Sequence, residues 1–232
     1  MKWLVVAWGV VAVAAGAFAA DYAVEGTPGP ASPYTFTPVT KDGATLELAW
    51  DNGTRRWSIS YYTGADLWCG NDFSSATLKT EHVKILKFKM YTRDNWPNGV
   101  WDGFRIGFYS FAGGVPGSML WPTGGSGYFF KPSGLSGHVW VECPINWTCP
   151  TIAFVAAAEE FYNYPNNDPF SLDINPTFLG HSWLYAQGSW SPYSSENVLP
   201  YQNIMIRVQV ETGYTFPSVA PSSIGRVKAL YY

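Results

Sequence analysis

Nine residues, Asp94 to Asp102, carry two carboxylates, two carboxamides and two indoles: Asp94, Asn95, Trp96, Asn98, Trp101 and Asp102. That mixture suits carbohydrate binding. Sugar faces stack on aromatic rings, and a few convergent carboxylates and amides fix the hydroxyls by hydrogen bonds. A second aromatic group, Trp183, Tyr185, Trp190 and Tyr193, offers the same chemistry further along. The predicted ligand-binding residues are therefore Trp96, Trp101, Asp94, Asp102, Trp183, Tyr185 and Trp190. Packing is the competing use for each ring, because aromatic side chains dominate burial in β-domains.

The same loop is a candidate calcium site. Asp94, Asn98 and Asp102 supply hard oxygen ligands, as do Asn166, Asn167, Asp168 and Asp173, although neither set has EF-hand spacing. Asx-turns use the same residues without a metal. A structural calcium is the one cofactor expected. Zinc is a weaker reading, since Cys69, Cys143 and Cys149 form no C-x-x-C pair and His82, His138 and His181 stand apart.

Catalytic signatures are absent from the sequence. Glu159 and Glu160 are adjacent at a predicted strand end and so point to opposite faces. A glycosidase needs two facing carboxylates. Glu47 and Glu142 could meet only through the fold. No G-x-S-x-G context frames a nucleophile. The chain reads as a non-catalytic module, with a glycoside hydrolase as the enzyme alternative.

Two apolar runs position the first loop: VKILKFKMY from Val83 and FRIGFYSF from Phe104. In the first, Val83 and Ile85 change phase to Leu86, Phe88 and Met90, which predicts a β-bulge. Lys84, Lys87 and Lys89 mark its solvent face. Phe88 and Ile106 are expected in the core. Earlier, Thr45–Trp50 and Trp57–Tyr61 alternate around Asp51-Asn52-Gly53, which predicts a hairpin. Residues 63–81 read as a polar connection. Thr151–Ala158 (TIAFVAAA) is continuously apolar and reads as a central strand. A long loop follows to about His181, and Asn203–Val210 closes the domain with Ile204, Ile206, Val208 and Val210 inward and Met205, Arg207 and Gln209 outward. Some nine to twelve short strands with Gly- and Pro-rich turns predict an all-β fold, an antiparallel β-sandwich of jelly-roll type.

Composition agrees. The 232 residues are 18% aromatic and only 13% charged, with a net charge of −3. The basic footprint of a nucleic-acid binder is missing, so no nucleic-acid partner is expected. Residues 1–19 resemble a secretory signal peptide, with Lys2, an apolar run and Ala17-Phe18-Ala19 before the cleavage point. An uncleaved anchor is the alternative, and no membrane span is expected after cleavage. Residues 20–44 form an extended lead-in that could add an edge strand, 45–211 the sandwich, and 212–232 a Pro-containing linker and tail. Export permits disulfides, and Cys143 and Cys149 could close a small loop between two strands, leaving Cys69 over.

The order FRIGFY, the Gly-Gly-Val-Pro-Gly loop, TIAFVAAA, HSWLYAQGSW and NIMIRVQV resembles jelly-roll accessory modules of secreted bacterial proteins, of the cleaved-adhesin and pre-peptidase C-terminal kind. The likeness covers about residues 45–211. It implies an extracellular or cell-surface, non-catalytic domain for binding, adhesion or attachment. The expected partner is an extracellular glycan or a surface protein. A homo-oligomeric surface-layer or filament subunit, joined through the tail Ile224–Tyr232, is the alternative.

Overall fold

The computed structural model describes residues 22–26, 45–61, 67–73, 83–94, 97–173, 180–193 and 203–212. The signal-peptide, tail and Trp96 expectations lie outside these residues.

Among the described residues the chain is all strand, in chain order β1 (Tyr22–Gly26), β2 (Thr45–Leu48), β3 (Arg55–Tyr61), β4 (Trp68–Phe73), β5 (Val83–Arg93), β6 (Phe104–Ala112), β7 (Val115–Trp121), β8 (Tyr128–Phe130), β9 (His138–Cys149), β10 (Phe154–Glu159), β11 (Phe170–Asp173), β12 (Ser182–Ala186), β13 (Ser189–Pro192) and β14 (Ile206–Thr212). One sheet runs β13-β12-β4-β10-β6-β7, with β8 also on β6; a second runs β2-β14-β5-β9; a third runs β1-β3-β11. All pairings are antiparallel. The segment before β14 ties the small sheet to the second. Met205 donates its N–H to the Ser171 carbonyl at 2.9 Å, and Tyr91 donates to the Met205 carbonyl at 3.0 Å.

The core lies between the layers. Phe88 on β5 meets Phe104 and Phe108 on β6 at ring separations of 6.4 and 6.3 Å, and Phe108 meets Trp147 on β9 at 5.7 Å. Phe88 and Ile106 are fully buried, as expected. The antiparallel β-sandwich is therefore the observed fold. β10 is buried along its whole length between β4 and β6, as its apolar run requires. The predicted bulge is present: Leu86 is the extra residue of β5 against β14, and β9 answers with an irregularity over Ile145 and Asn146. Asn146 turns there with φ of 52°, a conformation Asn tolerates.

Five expectations are corrected. β2 and β3 do not form a hairpin; β2 pairs with β14 and β3 with β1 and β11. The Asp51–Gly53 turn is a corner between sheets, closed by the Asp51 carboxylate on the Gly53 N–H at 2.8 Å and held by Arg207. Cys143 and Cys149 form no disulfide. They are six positions apart on one continuous strand, roughly 20 Å at strand rise, where a disulfide needs its Cα atoms within about 7 Å. The polar connection contains β4, a buried strand in mid-sheet, and the long loop contains β11. Met205 is buried rather than outward, because its segment is wedged between β5 and β11.

Candidate functional site

Alternation along the seven-stranded sheet sends one set of residues to the core and the other to its outer face. On β4, Cys69 and Phe73 join the main core, while Trp68 joins a separate cluster with Tyr109, Val155 and Ala157. Cross-strand register then builds two parallel rows on that outer face. One is Trp190–Tyr185–Trp68–Glu159–Arg105. Beside it runs Trp183–Gly70–Ala157–Gly107. The small residues leave a trough into which larger rings lean. A Cβ added at Gly107 would stand 3.0 Å from Trp68, Tyr109 and Met119, and one at Gly70 would stand 2.7 Å from the Ala157 methyl.

Above this floor lies a cleft of about 620 Å³, lined by Trp68, Tyr109, Met119, Tyr185, Ser189 and Trp190 among others. Its rings brace one another, two pairs edge to face and the third tilted. Trp68 and Tyr109 are 5.6 Å apart, Tyr109 and Trp190 4.9 Å, and Tyr185 and Trp190 5.2 Å. Trp68 and Tyr109 are nearly buried, whereas Tyr185 and Trp190 are half-buried. Burial, with the Glu159 carboxylate and Tyr185 nearby, holds the Tyr109 phenol well above its usual range, so its hydroxyl stays a donor. Glu159 is itself only 1% exposed and is paired with Arg105 at 3.3 Å. The Arg105 guanidinium also stacks on Phe161 at 3.9 Å.

The predicted residues divide. Tyr185 and Trp190 line the cleft. Trp183 is buried on the same face and donates its indole N–H to the Asp72 carboxylate at 2.8 Å. Asp72 also takes His181 Nδ1 at 3.0 Å, and that imidazole stacks on Trp50. Trp101 is half-buried, with its indole N–H on the Leu135 carbonyl at 2.9 Å. Its loop lies at the same end of the sheet as the β12–β13 turn, but three strand spacings, roughly 14 Å, separate β6 from β12. Trp101 is not among the residues that line the cleft. Sequence reasoning missed Trp68, Tyr109 and Met119. Alternation of Trp68, Gly70 and Asp72 against Cys69 and Phe73 was the available signal, hidden by the polar look of β4.

The calcium candidates are partly brought together. Asn98 donates to the Asp102 carboxylate at 2.6 Å and lies 3.4 Å from the Asn166 amide oxygen. Asp168 accepts the Asp102 and Gly103 N–H groups at 3.2 and 2.7 Å. Asp94 instead takes the Gly137 N–H. Burial pushes the Asp168 carboxyl up to about 7 against those two N–H groups. Among the described residues no three His, Cys, Asp or Glu side chains are placed to hold a metal ion. Glu47 and Glu142 do meet, on the other sheet, around one ammonium: Lys89 lies 2.7 and 2.9 Å from them.

The fold is similar to that in the crystal structure of the cysteine protease and lectin-like domains of Cwp84, a surface-layer-associated protein of Clostridium difficile. The TM-score is 0.51 at 14% identity, over 74% of this chain and 37% of that one. A structure of the clostridial cysteine protease Cwp84 after propeptide cleavage aligns with a TM-score of 0.44 at 12% identity, over 72% of this chain and 37% of that one. This chain thus spans little more than a third of the chains it aligns with. No family model matches the sequence, and comparison with curated proteins gives no match either. At such identities the likeness is one of fold, an antiparallel β-module.

Proposed function

We propose that this chain is a non-catalytic, carbohydrate-binding module of a secreted or cell-surface protein, and that it holds its glycan in the outer-face cleft. One observation carries the reading: half-buried Tyr185 and Trp190 line a cleft of about 620 Å³ and are packed against the nearly buried Trp68 and Tyr109. Rings fixed in advance lose little entropy on stacking, which favours binding. None of the described lining residues is a carboxylate, so a pair of hydrolytic acids has no place there. The lectin-like domain and surface-layer association named for Cwp84 support the binding role and the cell-surface setting.

The purified chain, titrated with soluble glycans while tryptophan fluorescence is followed, should bind at least one of them. Tyr185→Ala with Trp190→Ala should weaken that binding by about a hundredfold, as expected for two aromatic anchors. Trp101→Ala should leave it within about twofold, since an exchange outside the contact changes little. Binding unchanged in the double variant would sink the cleft as the site.

Self-assembly is the second reading. It is favoured by an exposed cluster at the β8 edge, where Phe129 (41% exposed) and Tyr162 (42%) flank Phe161. Ordered oligomers by light scattering, lost in Phe129→Ser with Tyr162→Ser, would favour it.

A further inference from the structure

We infer that the cleft takes an electrically neutral sugar chain and rejects acidic ones. The inference rests on the glycan-binding reading and adds a ligand class to it. The described lining residues offer hydroxyls from Tyr185, Ser118 and Ser189 and backbone edges at glycines, but no ammonium, guanidinium or imidazole. A ligand carboxylate or sulfate pressed against Trp190 and Met119 would lose its water and meet no counter-charge.

The nearest charges behind the wall make this worse. Along the aromatic row the order is Tyr185, Trp68, Glu159, Arg105. The buried carboxylate is therefore one strand nearer to Trp68 and Tyr185 than its own guanidinium partner is. Tyr109, whose ring forms part of the lining, feels that field: Glu159 helps to hold its phenol protonated. A neutral hydroxyl-rich chain loses nothing to this field, and its hydroxyls are suited to donate into it.

Matched pairs of polymers test the idea by affinity electrophoresis and fluorescence titration: hydroxyethyl against carboxymethyl cellulose, and fully methyl-esterified against free polygalacturonan. The expected result is binding to a neutral member at least about tenfold tighter than to its acidic partner, with little dependence on salt. An acidic member that binds as well as its neutral partner would overturn the inference while leaving the cleft as a glycan site. If no member of either pair and no glycan of the wider titration binds, the glycan reading itself falls, and this inference with it. A gain-of-function variant separates charge from shape. Ser189 is exposed at the cleft rim, so Ser189→Lys should admit the acidic partner by about tenfold at low salt and lose that gain near 1 M salt, where screening acts within about 3 Å. Continued exclusion in Ser189→Lys would show that charge is not what discriminates, and would overturn the inference too.

Discussion

The outer faces of the four-stranded and seven-stranded sheets are built by the same alternation and end with different balances of charge and aromatic surface. On the four-stranded sheet the outward residues are mostly charged and laced across strands, with Tyr91 and Trp140 paired beside them. Lys87 pairs with Glu142 at 2.7 Å, Lys89 with both Glu47 and Glu142, and Arg207 with Glu47 at 2.7 Å while lying over Trp140 at 4.3 Å. Hydrogen bonds from Lys87 and Lys89 hold Glu142 below its usual range. This is an ordinary solvated face, and each such pair adds little to stability. The seven-stranded sheet instead turns Trp68, Tyr109, Tyr185 and Trp190 outward over a floor of small residues. Nothing in the folding of a sandwich requires a second aromatic layer on its outside. The contrast is what the proposed glycan site rests on: a cleft lined by rings on one face and cross-strand ion pairs on the other.

The largest test strikes what both faces share. Phe108 is fully buried and meets Phe88, Trp121, Trp147 and Phe154. Phe108→Ala should cost about 3–5 kcal/mol in denaturant unfolding, and a loss under about 1 kcal/mol would show that the two sheets do not share one core. Next comes the floor of the aromatic face alone. Gly107→Val would drive into Trp68, Tyr109 and Met119. It should cost about 1–3 kcal/mol and abolish glycan binding, whereas binding at full strength would detach the cleft from its floor.

A smaller effect concerns the loop that feeds β6. Asp168 has a folded value raised to about 7 from 3.8, so the folded chain holds a proton that the unfolded chain has released. Stability should therefore fall as pH rises from about 4 to about 7, and Asp168→Asn should remove most of that fall in thermal unfolding followed across pH. Asp173, pushed up to about 6 chiefly by burial, adds a residual slope of the same sign. The smallest effect belongs to the charged face. Lys89→Met should change stability by less than about 1 kcal/mol and leave glycan binding untouched. A loss of binding there would erase the distinction between the faces.

Much of the architecture was legible in the residues. The phase slip in VKILKFKMY announced the bulge at Leu86, TIAFVAAA announced the buried centre of a sheet, and the inward placing of Phe88 and Ile106 followed from period-two alternation. The resemblance drawn from FRIGFY to NIMIRVQV reaches the same β-module architecture. β4 was not legible, because Gly70, Asn71 and Asp72 look like loop. They are tolerated in mid-sheet only through partners far along the chain: Asn71 donates to the Ile204 and Ile206 carbonyls at 2.8 and 3.0 Å, and Asp72 receives Trp183. The Asp51–Gly53 turn misled for a related reason. Its local chemistry is that of a tight turn, but whether the flanking strands pair with each other or part into different sheets depends on what else competes for them.

The candidate site shows the division most clearly. The sequence by itself determined that the chain is all-β, that its strands alternate, and that Tyr185 and Trp190 belong to one aromatic group of candidate ligand-binding residues, since these follow from spacing and side-chain type alone. Only the tertiary structure decided that Trp68 and Tyr109 join them, that Trp183 and Trp101 do not line the cleft, and that Cys143 and Cys149 stay apart. The reason is physical. Alternation says that a residue faces outward, but which outward residues become neighbours is set by strand order and register. Those are chosen by the packing of the two inner faces, through contacts between residues far apart in the chain.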